Sequence, residues 1–149
     1  AEKAPPSGEV EERTGLTEGQ IRAMAVPVRM RMSRGAPRWL RNVLVRDPHP
    51  LVAVSTVVNN SLSDEELEAI ARSRLVVEEV LVEMTRHRSW MNKYSVVSAL
   101  VANRRTPVGI AVRFLPRLSV RELRALAHSR NVSDAVRSGA QRIYHSRTQ

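Results

Sequence analysis

The chain has 149 residues, with 24 lysines and arginines against 15 aspartates and glutamates and a formal net charge of +9. It contains no cysteine, which excludes disulfides, thiolate nucleophiles, iron–sulfur clusters and cysteine-ligated zinc, and makes a cytoplasmic, disulfide-independent setting the expectation. No apolar run approaches the roughly 20 residues of a membrane-spanning helix, and the N-terminus lacks the basic-then-apolar plan of a secretory signal.

Residues 1–16 carry Pro5, Pro6, Ser7, Gly8, Glu9, Glu11 and Glu12 without apolar periodicity, the composition of a flexible linker or arm. A chain that opens with Ala1 in such a segment suggests a fragment of a longer protein; a trimmed initiator Met is the alternative. From Thr17 helix signals recur at short spacing, predicting helices over Thr17–Ser33 (interrupted at Pro27), Pro37–Val45, Pro50–Asn59, Ser63–Arg72, Val76–Arg86, Met91–Ala102, Thr106–Phe114, Ser119–His128 and Ser133–Tyr144. Helices of about three turns are too short to be stable alone, so mutual packing must hold them. A single helical-repeat domain over 17–149 is expected.

An internal repeat organises this region. A shift of 56 residues aligns Leu44–Arg88 with Leu100–Tyr144 without a gap, and 14 of the 45 pairs are identical, among them Leu62/Leu118, Ser63/Ser119, Glu66/Glu122, Leu67/Leu123, Ala71/Ala127, Ser73/Ser129 and Val80/Val136. Ser63-Asp64-Glu65-Glu66 and Ser119-Val120-Arg121-Glu122 both spell a capping box, in which serine and the glutamate three residues later satisfy free N–H groups at the helix start. One 56-residue unit holds about four helices, or two helical pairs. This predicts an all-α fold, a short right-handed-type α-solenoid of stacked helical pairs with repeat halves at about 44–88 and 100–144.

At these residues the chain resembles the HEAT and armadillo repeat class, and more closely the leucine-rich-repeat-variant pattern. The turn that starts each helix in that pattern corresponds here to Leu44-Val-Arg-Asp47-Pro48-His-Pro50-Leu51 and to Leu100-Val-Ala-Asn103-Arg104-Arg105-Thr106-Pro107, where Arg104 departs from the preferred proline. Thr106 is the expected N-cap there and Pro107 the first helical residue. The stretch Trp90–Pro107, with Lys93-Tyr94 and Ala99-Leu100-Val101, is also similar to small bacterial helical-repeat proteins. The resemblance covers about two thirds of the chain and implies fold rather than activity. Repeats of this class bind proteins, peptides or nucleic acid through one face, and a few act on DNA.

Catalytic hardware is sparse. His49, His87, His128 and His145 lack the i, i+4 partner of a helical metal pair, and the glycines at 8, 15, 19, 35, 109 and 139 form no phosphate loop. No metal or cofactor is expected, and the chain reads as a non-enzyme. Gly109 and Gly139, matched to Ala53 and Glu83, suggest close helix packing or a local kink. Met24, Met30 and Met32 read as a packing edge of the first helix. Trp90 reads first as a plug between helical pairs, with base or side-chain stacking beside Lys93 and Tyr94 as the other role.

The charge pattern carries the functional expectation. Residues 89–149 hold eleven basic residues against two acidic ones, and Lys3 and Lys93 are the only lysines of the chain. Matched positions reverse sign while the apolar set is kept: Glu65 becomes Arg121 and Glu68 becomes Arg124. Arg121, Arg124 and His128 share one helical face, and Arg104 with Arg105 is read at a helix N-terminus. The candidate partner-binding set is Arg104, Arg105, Arg113, Arg117, Arg121, Arg124, His128, Arg137, Trp90, Lys93 and Tyr94. The expected function is a binding or scaffold module that docks an acidic protein surface, or another domain of the parent chain, through this half. Nucleic-acid binding through the same arginines is the alternative, and a DNA-processing enzyme on such repeats, with no identified catalytic carboxylate, the third. Head-to-tail self-association, acidic face on basic face, is a further expectation.

Overall fold

The computed structural model describes residues 15–149; the arm expected over 1–16 lies outside them apart from Gly15 and Leu16. The described residues are all-helical, with no strand, and they divide after Ser61 into two compact units.

The first unit contains α1 (Glu18–Ala23), α2 (Val26–Met32), α3 (Arg38–Leu44) and α4 (Pro50–Val58). Thr17 opens α1 with a full capping box: its Oγ1 accepts the Gln20 N–H at 3.0 Å and Gln20 Oε1 accepts the Thr17 N–H at 2.7 Å. The interruption expected at Pro27 falls earlier, at the extended residues Met24 and Ala25. Pro27 sits in the first turn of α2, where its missing N–H has no intrahelical acceptor to lose. Gly35, at φ +60°, turns the chain toward α3 in a conformation that side chains with a Cβ disfavour. Helices α2 and α3 pack on α4 around Ile21, Ala36, Leu40, Val43, Leu44 and Val52, with Met30, Met32 and Trp39 at the margin of this core.

An ion pair that the sequence reading did not single out ties this unit together. Asp47 is fully buried and Arg29 is 7% exposed. Arg29 Nε donates to Asp47 Oδ2 at 2.9 Å and Nη2 to Oδ1 at 3.2 Å, a two-pronged arrangement suited to guanidinium and carboxylate. Arg29 also donates to the Arg22 and Met24 carbonyls, where α1 breaks. Arg22 adds a contact to Asp47 at 3.3 Å and the His49 N–H donates to Asp47 Oδ1 at 2.9 Å.

The second unit contains α5 (Asp64–Arg72), α6 (Glu78–Met84), α7 (Arg88–Met91), α8 (Tyr94–Ala102), α9 (Val108–Phe114) followed by a 3-10 turn (Leu115–Arg117), α10 (Val120–Ala127) and α11 (Asp134–Thr148). The one-turn helix α7 was not expected, and α11 runs past the expected end at Tyr144. Thr106 is not the N-cap of α9. Pro107 occupies that position, and Thr106 is buried with its hydroxyl donating to the Leu100 carbonyl at 2.7 Å, closing the end of α8 instead of opening α9.

Ser63 makes the full capping box of α5, but the expected twin at α10 is only half formed. Ser119 Oγ accepts the Glu122 N–H at 3.2 Å, whereas the Glu122 carboxylate turns away to accept the Ser98 hydroxyl. Among the glycines, Gly139 matches the close-packing expectation: a Cβ there would lie 2.8 Å from Leu115 Cδ1. Gly109 does not, since a Cβ there meets nothing within 4 Å.

Three helices of this unit run in the same direction, α5 packed on α8 and α10 joined to α8 by side-chain hydrogen bonds. At their N-terminal ends Lys93 Nζ lies 3.0 Å from Asp64 Oδ1, and the Ser119 N–H donates to the Tyr94 hydroxyl at 2.9 Å. Toward their C-terminal ends Asn103 Nδ2 donates to the Ala71 and Ser73 carbonyls, each at 2.8 Å. Contacts of N-end with N-end and C-end with C-end make α5 and α8 parallel, and Tyr94–Ser119 followed by Ser98–Glu122 does the same for α8 and α10. Their buried sides are Leu67, Ile70 and Ala71 on α5, Val97, Leu100 and Val101 on α8, and Leu123, Leu126 and Ala127 on α10. Behind the row, α9 packs on α8 and α11, and α11 packs on α10.

Candidate partner-binding face

The outward side of this row is where the sequence-predicted basic residues meet solvent. In α10 the helical period puts Leu123, Leu126 and Ala127 inside, so Arg121, Arg124 and the C-cap residue His128 face out, all exposed. Arg121 and Arg124 have no hydrogen-bond or ion-pair partner among the described residues. Arg104 is likewise exposed in the loop after α8.

Other members of the predicted set have structural duties. Arg105 is exposed but donates to the Arg74 carbonyl at 3.0 Å. It lies with Arg104 at the C-terminal end of α8, where a cation complements the helix dipole, and two residues before the Pro107 cap of α9. Arg137 clamps the loop before α11: its Nε donates to the Ser129 carbonyl at 2.8 Å, Nη2 to the Val132 carbonyl at 3.1 Å, and Nη1 pairs with Asp134 at 2.5 Å. Arg117 donates to the Met91 carbonyl. Arg113 and Arg117 both lie over the Phe114 ring, at 5.2 and 5.8 Å from its centroid.

The aromatic group is also engaged internally. Trp90 stacks on His87 at 3.8 Å between centroids, and His87 Nε2 lies 2.9 Å from Glu83 Oε2. Lys93 pairs with Asp64, and Tyr94, although 44% exposed, gives its hydroxyl to the start of α10. The structure therefore separates the eleven predicted residues into Arg121, Arg124 and His128 exposed on α10, Arg104 exposed in the loop after α8, and side chains engaged in contacts within the unit.

The same side of the row contains Glu65 and Glu68, whose sign reversal the sequence shows, together with Ser95, Ser98, Arg72 and Ala102, which the sequence reading passed over. Matching the buried positions of α5, α8 and α10 puts Glu65, Ser95 and Arg121 at one level, Glu68, Ser98 and Arg124 at the next, and Arg72, Ala102 and His128 at the last. At the first two levels charge thus runs from acidic on α5 through uncharged on α8 to basic on α10, while the last level carries Arg72 on α5. Glu68 also pairs with Arg72 at 2.6 Å. The signal in the sequence is faint because α5 and α8 are offset by 30 residues and α8 and α10 by 26, so no single period aligns all three.

Among the described residues no group of three or more His, Asp or Glu side chains could hold a metal ion, and no helix is long and apolar enough to cross a membrane. No family model, curated protein or solved structure matches the chain.

Proposed function

We propose that the chain is a non-enzymatic binding module built on a short HEAT-like α-solenoid, and that its α10 face docks an acidic protein surface. The repeat is supported by turn chemistry recurring 56 residues apart. Asp47 and Asn103 both accept the N–H two residues on, from His49 and Arg105, each at 2.9 Å. Ser73 and Ser129 do the same for Leu75 and Asn131, each at 3.1 Å.

The observation that carries the functional reading is the pair Arg121 and Arg124, exposed without an acceptor among the described residues, on a helix whose matched counterpart carries Glu65 and Glu68. Folding does not require cations there, and guanidinium is suited to two-pronged contact with carboxylates. A protein surface is favoured over nucleic acid because Trp90, Lys93 and the Tyr94 hydroxyl, the groups that would supply stacking and further cationic contact, are engaged internally.

Fluorescence anisotropy with a labelled poly-glutamate peptide and a labelled DNA duplex tests this reading. At low salt the peptide should bind, and Arg121→Glu with Arg124→Glu should reduce its affinity tenfold or more without loss of helix signal. Peptide affinity unchanged in the double variant would overturn it, and a preference for the duplex would replace the protein partner with nucleic acid.

A further inference from the structure

The graded charge across α5, α8 and α10 specifies a partner more closely than a basic patch alone. We propose that this face pairs with the same face of a second copy of the chain, about a two-fold axis parallel to α8. The inference rests on the reading of α10 as a binding face and names its partner.

The geometry follows from which helix carries which sign. When two such faces meet, the axis relating them must lie in the plane between them. An axis across the helices would set α5 on α5 and α10 on α10, like charge on like. An axis along α8 exchanges the flanks and keeps each level in register. Glu65 of one copy then faces Arg121 of the other, and Glu68 faces Arg124. Both contacts form twice, so the assembly closes as a dimer, whereas contact between an isolated acidic patch and an isolated basic patch propagates without limit.

The middle of the face permits the approach. Helix α8 carries no charged residue, and Ser95, Ser98, Ala99 and Ala102 on this side are small. Glu122 lies between α8 and α10 and is held by the Ser98 hydroxyl, so it does not compete for Arg121 and Arg124 of the other copy through the open side. At the last level Arg72 faces His128.

Size decides the strength. Helices of eight or nine residues are about 12–13 Å long, and three of them taken at roughly 10 Å spacing offer a face of ~400 Å², against the ~800 Å² per partner typical of stable interfaces. The dimer is therefore weak and carried by charge, and salt that shortens the screening length to about 8 Å or less must dissolve it.

Sedimentation equilibrium at low ionic strength, over about 10 µM to about 1 mM protein, should give a monomer–dimer equilibrium that reverts to monomer in high salt. The Glu65→Arg, Glu68→Arg variant and the Arg121→Glu, Arg124→Glu variant should each be monomeric, the first basic and the second acidic on both flanks. Mixed one to one, they should form a heterodimer in which both sets of contacts are restored. Circular dichroism of each variant checks that it is folded. A strict monomer that still binds poly-glutamate overturns the dimer and leaves the basic-face reading standing. A strict monomer that binds no poly-glutamate removes both. Species larger than a dimer, or a mixture that stays monomeric while the unmodified chain dimerises, overturns the two-fold arrangement.

Discussion

The hydroxyl of Tyr94 accepts the backbone N–H of Ser119, a bond that the capping-box pattern would have assigned to Glu122. A side chain on α8 thereby starts α10, and Glu122 is released to accept from Ser98. The cap is a tertiary contact in place of a local one. Tyr94→Phe should lower stability by about 0.5–1 kcal/mol, the ordinary net worth of one such bond. Urea unfolding read by circular dichroism checks this, and an unchanged midpoint would show that Glu122 swings back to close the box.

Serine caps differ in the same terms. Ser63→Ala and Ser119→Ala should each cost on the order of 1 kcal/mol. Ser63 should be the more sensitive site, because its removal also unseats the returning Glu66 carboxylate. Paired urea melts of the two variants measure the difference; equal or absent losses contradict the asymmetry.

The buried pair in the first unit predicts a larger effect. Asp47→Ala leaves the Arg29 guanidinium buried without its carboxylate, and breaking a pair of this kind costs about 3 kcal/mol or more. Trp39 packs at the margin of that unit's core, so its fluorescence in a Trp90→Phe background reports unfolding there. A shift of a few tenths of a kcal/mol would mean that Arg22 and the carbonyl acceptors of Arg29 suffice.

Two glycines should respond in opposite directions to one substitution. Gly109→Ala fills open space in a helix and should stabilise by up to about 1 kcal/mol. Gly139→Ala gains the same helix propensity but drives a methyl into Leu115, which is fully buried, and should destabilise by about 1–3 kcal/mol. Thermal melts of both variants test the pair, and matching signs would contradict the packing at Leu115.

Much of this protein is legible in local chemistry. Apolar residues three and four apart, serine caps and proline at helix starts identify the helical segments from Pro37 onward to within a few residues, apart from the one-turn helix α7, since these signals act over one turn and need no partner. Sign reversal at Glu65/Arg121 and Glu68/Arg124 is likewise visible, because charge is a property of composition. Tertiary structure decided the rest. Thr106 has the chemistry of an N-cap but is drawn inside to the Leu100 carbonyl, and Glu122 has the spacing of a capping box but finds Ser98. Arg105, Arg117 and Arg137 cannot be told from Arg121 and Arg124 along the chain. They differ because a carbonyl lies within reach of the first three, at Arg74, Met91 and Ser129. Long side chains reach acceptors that are distant in sequence, such as Met91, 26 residues before Arg117, so only the packed helices determine which arginines are held and which face solvent.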